Sequence, residues 1–428
     1  MSWLLLESHR LHIMERIKKM TLLATFLLCF FIQMTSCSTQ KTQNLMKSHP
    51  LIDGHNDLAL QLRRLYRNKL SKINLETINT TRTNLHKLKT GHVGAQFWSA
   101  YVLCGAQDKD AVRLALEQID VIKRMCNEYE ELEFVTSSQG IKNTEKIACL
   151  IGLEGGHIID SSLAALRMFY DLGARYMTLT HTCNTPWAQT SGGGPHKVYQ
   201  GTKGLTEFGK EVVKEMNRIG MIIDLSHTSF DTSREVLAIS QAPVIFSHSA
   251  AYALCGIERN VPNDILIKIK ENNGMVMVNF HTAFIACGKT ANISTLADHF
   301  HYIKTIIGAE YIGFGGDYDG VTGFPEGLED VSKYPLLVEE LLRRGWQDSE
   351  IKAILRENFL RVFGKVEQVR DEMLNVRPSE AEISEDKLNY SCRLDLRKIQ
   401  SINASGIQEI SAAFTLATCI LSCIYVFW

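Results

Sequence analysis

The chain has 428 residues, 45% of them hydrophobic and 22% charged, with a net charge of −1 at pH 7. That composition supplies a large core, and a balance so near neutrality leaves no basic surplus for neutralising nucleic-acid phosphates. The length is in the range of a single α/β barrel with terminal extensions.

In chain order, the first feature is a targeting segment. Glu15-Arg16-Ile17-Lys18-Lys19 precedes an apolar run over residues 21–32, and the small residues Thr35, Ser36, Cys37 and Ser38 follow. A charged start, a short apolar stretch and a small-residue cleavage zone read as a secretory signal, so residues 1–37 are assigned to a signal peptide and N-terminal extension. The apolar run is short of a bilayer span.

Between residues 48 and 375, short apolar runs alternate with longer amphipathic segments. The runs cover residues 51–54, 93–100, 147–153, 174–179, 221–225, 244–246, 275–280 and 311–315. Helical periodicity separates several of them, over residues 161–172, 206–219 and 293–307. Strands alternating with helices imply parallel βαβ units, and eight such units predict a closed (β/α)8 TIM-type barrel. Residues 334–344 and 348–369 are expected to be C-terminal helices, followed by a polar tail over 376–403. The last 25 residues, 404–428, run from a small-residue zone into an apolar end, the pattern of a glycosylphosphatidylinositol signal with Asn403 or Ser405 as acceptor.

Export fits the cysteines. Of eleven, Cys29, Cys419, Cys423 and Cys37 leave with the two signals, and Cys104, Cys126, Cys149, Cys183, Cys255, Cys287 and Cys392 remain. An odd number in an oxidising compartment implies internal bridges plus one unpaired or intermolecular thiol. Cys149 lies in the apolar run 147–153 and reads as a buried, inert thiol, whereas Cys392 in the polar tail suits a bridge between chains. Asn-x-Ser/Thr triplets mark Asn79, Asn292 and Asn389 as glycosylation candidates.

The chemistry gathers where the runs stop. Run one ends in His55 and Asp57, two residues apart and so on one side of an extended backbone. Glu154 and His157 follow run three, His181 run four, Asp224 and His227 run five, His248 run six, and Asp317 and Asp319 run eight. A barrel keeps its active site at the C-terminal strand ends. Burying so many ionisable groups without compensation would be costly. Two or more His, an Asp and a Glu exceed the needs of one tetrahedral ion and suit two metals sharing a carboxylate. Imidazole with carboxylate favours zinc. His157, His196, His281, His299 and His301 are read as structural or surface residues, with His281 the one that could border the pocket.

In order, the motifs His55-Asn56-Asp57, Glu154-Gly155-Gly156-His157, Asn184-Thr185-Pro186-Trp187, Asp224-Leu225-Ser226-His227, Phe246-Ser247-His248-Ser249, Gly315-Gly316-Asp317-Tyr318-Asp319-Gly320 and Gly327-Leu328-Glu329-Asp330-Val331 resemble the membrane (renal) dipeptidases over residues 48–370. The resemblance implies a two-zinc (β/α)8 peptidase, a disulfide-linked homodimer held at the outer membrane face by a glycolipid. His55 and Asp57 would bind one zinc, His227 and His248 the other, and Glu154 both. His181 would contact substrate at the scissile carbonyl, Arg259 would receive the substrate carboxylate, and Asp317 would relay the proton of a hydroxide shared by the metals. Implied bridges are Cys104–Cys183 and Cys255–Cys287 within the chain, and Cys392 between chains. Implied substrates are dipeptides, including cysteinylglycine-type peptides and leukotriene D4, the latter suggested by a likeness to the leukotriene-hydrolysing branch. The glycine-rich stretch Ser191–His196 matches no fixed family pattern. The His-x-His opening usual in other metal-dependent amidohydrolases is absent.

Overall fold

A computed structural model describes residues 39–193 and 198–388, together with 14, 16 and 18–20. The signal region around residues 21–37, Asn389, Cys392 and the anchor signal with Asn403 and Ser405 lie outside the described residues. Among the described residues no helix is long and apolar enough to cross a membrane.

Eight parallel strands close into a barrel. They are β1 (Leu51–Asn56), β2 (Val93–Tyr101), β4 (Ile147–Glu154), β5 (Ala174–Thr178), β6 (Ile222–Asp224), β7 (Ile245–Ser249), β8 (Met275–Asn279) and β9 (Ile312–Gly315). Each pairs with the next, and β9 returns to β1 through Asp53 and Phe314. All eight expected runs are therefore strands of one ring. A ninth strand, β3 (Leu132–Phe134), extends the edge of β4 ahead of β5 and pairs Leu132 with Ile147. Three residues carry too little periodicity to be seen in the sequence.

The strand side chains alternate between two cores. Ile52, Ala95, Phe97, Ala148, Leu150, Tyr176, Ile222, Ile245, Met275 and Met277 fill the barrel, while their neighbours Leu51, Trp98, Ile151 and Leu153 pack outward against helices. Helices α1 (Leu58–Tyr66), α2 (Ala111–Glu128), α3 (Leu163–Asp171), α4 (Glu207–Ile219), α5 (Phe230–Ile239), α6 (Asn263–Glu271) and α7 (Ile293–Ile307) form the outer layer. Their starts follow local chemistry. Ser162 and Thr206 accept hydrogen bonds from Ala165 and Gly209, and Asn292 forms a capping box with Thr295.

The C-terminal helices α8 (Tyr334–Arg343) and α9 (Asn358–Glu372) complete the shell, with a short helix (Asp348–Lys352) and a π turn (Ala353–Glu357) leading into α9. Phe359 and Phe363 of α9 enter the barrel core, with Phe359 5.2 Å from Phe97. Asn358 donates to the carbonyls of Ala309 and Ile312, where β9 begins. One end of the barrel is thus plugged, and the other is left for chemistry.

Cys104–Cys183 and Cys255–Cys287 are disulfides, as the resemblance implied. The reading of Cys149 as a free thiol is corrected: it pairs with Cys126. Cys126 lies on the face of α2 that packs against the sheet, so the partner of a strand cysteine sits on a helix 23 positions away. Asn79 and Asn292 are exposed.

Candidate metal centre

His55 owes its position to a break in β1. The β1–β2 register slips between Asp53 and Asn56, and such a bulge re-aims side chains at a strand end. Buried Asp53 fixes the turn, accepting from the amides of His55 and Gly316 and from the Tyr334 hydroxyl at 2.7 Å. His55 Nε2 then lies 3.2 Å from Asp57 Oδ2 and 3.4 Å from Glu154 Oε2.

The other oxygen of Glu154 faces a second group. Oε1 is 3.3 Å from His227 Nε2 and 3.5 Å from His248 Nε2, and those two nitrogens are 3.0 Å apart. The five expected ligands therefore converge from four strand ends, those of β1, β4, β6 and β7, as two sets that share only Glu154. Glu154 is steadied by Ser99, whose hydroxyl donates to Oε2 at 2.9 Å.

These separations carry information. Donor atoms about 2.0–2.1 Å from one ion at a tetrahedral angle lie about 3.3–3.4 Å apart. The observed edges of 3.0–3.5 Å fit that spacing. They are long for charge-assisted hydrogen bonds. Asp57 Oδ1 is buried with no partner. The residues fit divalent cations.

Electrostatics agree. Burial opposes a charge on His55, yet Tyr176, Glu154 and Asp57 together lift its pKa well above the ordinary value. The two carboxylates thus draw positive charge to the place a cation would take. Burial, with Arg259 and nearby imidazoles, pushes His227 and His248 far down, keeping both neutral as ligation requires. Glu154 stays well below the carboxylate range despite its burial, because His55, His227 and His248 surround it.

The remaining expected residues border the centre. His181 is half-buried, its Nε2 3.7 Å from Glu154 Oε1 and its ring 4.6 Å from Tyr101. Thr190 donates to its carbonyl, and the Cys104–Cys183 bridge ties its loop to the end of β2. Asp317 has a left-handed backbone, φ 58°, and accepts from Asn279 at 2.9 Å. Burial pushes its carboxyl up to about 7. Arg259 donates from Nη1 to Ser249 at 2.7 Å and lies over the Phe284 ring, while its Nε and Nη2 are buried with no partner. Next to it in the chain, Glu258 accepts from the Gly192 amide at 2.5 Å.

Residues read as structural behave so. His299 is buried between the Ala251 amide and the Ile285 carbonyl, His301 is exposed, and His157 is held by the Val102 carbonyl at 2.8 Å. His157 also lies near Cys104 and Cys183, but both sulfurs are spent in their disulfide. His281 is half-buried against Phe284, and His196 lies outside the described residues. Sequence reading passed over Ser99 and Tyr176, which work through contacts between strands.

A parallel barrel with a carboxylate-bridged pair of candidate metal positions at its open end defines a metal-dependent hydrolase. The membrane dipeptidase model (peptidase family M19) matches residues 39–377. Mouse Dipeptidase 3 is 55% identical over 352 residues, 82% of this chain and 71% of that protein. Two solved structures superpose. One is a metallopeptidase from Rhodobacter sphaeroides bound to a phosphinate mimic of L-Ala-D-Ala (TM-score 0.68, 24% identity, 74% of this chain and 99% of that one). The other is the dipeptidase AC of family M19 (TM-score 0.68, 25% identity, 74% and 98%). This chain belongs to the membrane dipeptidase family, M19, a family of metallopeptidases.

Proposed function

We propose that the chain is a binuclear zinc dipeptidase. The observation that carries the reading is the division of Glu154 between two ligand sets, His55 with Asp57 and His227 with His248, at edges of 3.0–3.5 Å. His55, Asp57, Glu154, His227 and His248 would hold the ions, which would supply Lewis acidity toward the scissile carbonyl and a water acidified to about neutrality. The rest falls to side chains.

Arg259 presents Nε and Nη2 without partners, a fork suited to the free carboxylate of a short peptide. Capturing that carboxylate places the only peptide bond of a dipeptide over Glu154, which is the basis of selectivity for dipeptides. His181 offers a ring nitrogen beside Glu154 to the carbonyl oxygen as it gains charge. Asp317, raised to about 7 with one oxygen held by Asn279, takes the water proton and returns it to the leaving amine.

The substrates we assign are dipeptides, with cysteinylglycine-type peptides and leukotriene D4 among them. The same reading includes secretion, a glycolipid anchor at Asn403 or Ser405, glycans on Asn79, Asn292 and Asn389, and a homodimer bridged by Cys392. The decisive experiment measures glycine release from cysteinylglycine by the purified protein, with and without chelator. Turnover abolished by chelator and restored by Zn²⁺ is expected. Turnover unaffected by chelator, or none at all in zinc-loaded protein, overturns the proposal.

A further inference from the structure

A histidine ligates through one nitrogen only if its proton sits on the other, and the partner of that other nitrogen decides the matter. His55 Nδ1 is 2.9 Å from the Tyr176 hydroxyl, and that hydroxyl donates its single proton to the Gly54 carbonyl at 3.0 Å. Tyr176 therefore accepts from His55 Nδ1–H, which leaves Nε2 as the nitrogen able to ligate between Asp57 and Glu154. Tyr176 reaches across the barrel because Gly152 lies beneath its ring, where a Cβ would sit 2.0 Å from the ring carbon Cζ.

His248 is held differently. Its Nδ1 is 2.7 Å from Ser247 Oγ, and Ser247 donates to Asp224 Oδ2 at 2.5 Å. Asp224 is fully buried, and its Oδ1 accepts from the amides of Ser226 and Ser247 at 3.0 and 2.9 Å. A carboxylate has no proton to give, so the Ser247 hydroxyl must point at it and accept from His248 Nδ1–H. The two relays end in unlike groups, a neutral carbonyl behind His55 and a carboxylate behind His248. The difference matches the ligand sets. His55 has an anionic neighbour in Asp57, whereas His227 and His248 share no carboxylate but Glu154.

We infer that Asp224 and Ser247 are positioning residues for the His227–His248 metal position, fixing the His248 tautomer through a carboxylate–hydroxyl–imidazole relay and supplying the anion that this ligand set lacks. The inference rests on the binuclear reading above. It makes a specific statement about Asp224→Asn. The new Oδ1 keeps both amide hydrogen bonds, but the new NH2 donates to Ser247 Oγ. Ser247 must then turn its proton to His248 Nδ1, which drives the imidazole proton onto Nε2 and blocks the ligand lone pair.

The test titrates Zn²⁺ into the metal-free protein against a competing chelator, for wild type, Asp224→Asn, Ser247→Ala and Ser247→Thr. Loss of such an outer partner lowers metal affinity roughly 10–100-fold. That loss is expected at one of two positions in Asp224→Asn and Ser247→Ala, with recovery in Ser247→Thr, which keeps the hydroxyl. The ¹⁵N shifts of His248 should show the proton moving from Nδ1 to Nε2 in Asp224→Asn. Wild-type zinc affinity in both Asp224→Asn and Ser247→Ala overturns the inference. So does an affinity loss matched by a fall in the unfolding midpoint of the metal-free protein, since that is a folding defect. Wild-type protein that binds fewer than two zinc ions refutes the binuclear reading itself.

Discussion

Gly320→Ala isolates the geometry of the centre from the stability of the fold. Gly320 is exposed, and its backbone lies outside the left-handed region, so alanine strains nothing by itself. A Cβ there would stand 2.2 Å from Asp57 Oδ2 and 2.5 Å from Asp317 Oδ1, where contacts under 3.0 Å are essentially never seen. The Asp57 oxygen must retreat by about 0.8 Å, the difference between 3.0 and 2.2 Å. Metal–ligand distances tolerate about 0.2 Å, so Asp57 is lost as a ligand, and Asp317 is pushed from its place in the same movement. Misplacement of about 1 Å at a reacting centre costs roughly 100-fold in rate, or about 2.7 kcal/mol in the barrel mouth's transition-state stabilisation. We expect kcat/KM for cysteinylglycine to fall by that factor and bound zinc to fall from two ions toward one, with an unchanged melting temperature in chelator. Full metal content together with wild-type kcat/KM would refute the assignment of Asp57 and Asp317 to the site.

Two further predictions probe different links. Arg259→Leu removes a charge-assisted pair worth about 1.5–3 kcal/mol, so KM for a dipeptide should rise roughly 10- to 150-fold with kcat little changed. The dipeptide amide, which has no carboxylate, should show no such penalty, and an equal penalty for both would disprove the role. His299 concerns stability. Burial lowers its pKa, with the Ala251 amide already donating to Nδ1. The unfolded chain therefore binds a proton there more readily, and the stabilisation is complete above the unfolded value near 6.5 and lost as pH falls below it. Each unit of pH in that window costs up to about 1.4 kcal/mol. The melting temperature of the metal-free protein should drop between pH 7 and pH 5, and less steeply in His299→Gln. Parallel curves for the two proteins would show that His299 carries none of the dependence.

The candidate ligands were legible in the sequence because a barrel simplifies the problem. Each of His55, Glu154, His227 and His248 is an ionisable residue at the end of an apolar run, and closed topology brings all strand ends to one rim. The bulge at Asp53–Asn56 was not legible, because period-two alternation already put His55 and Asp57 on one side without it. The pairing of Cys126 with Cys149 was hidden for a related reason: it depends on which face of α2 meets β4, and spacing alone does not fix that. The supporting shell lies deeper still. Tyr176 is 121 positions from His55, and Asp224, although it stands at the end of an apolar run, is 24 from His248, so no local pattern pairs either with its ligand. Tyr176 reads as an ordinary core aromatic, Ser247 as a small polar residue in a strand. Their roles arise only when the direction of each hydroxyl proton is worked out, and that direction is forced by acceptors, the Gly54 carbonyl and the Asp224 carboxylate, that belong to other strands. A sequence thus declares what a metal would touch more readily than what holds those groups in register, since ligation needs particular side-chain types and support needs particular neighbours.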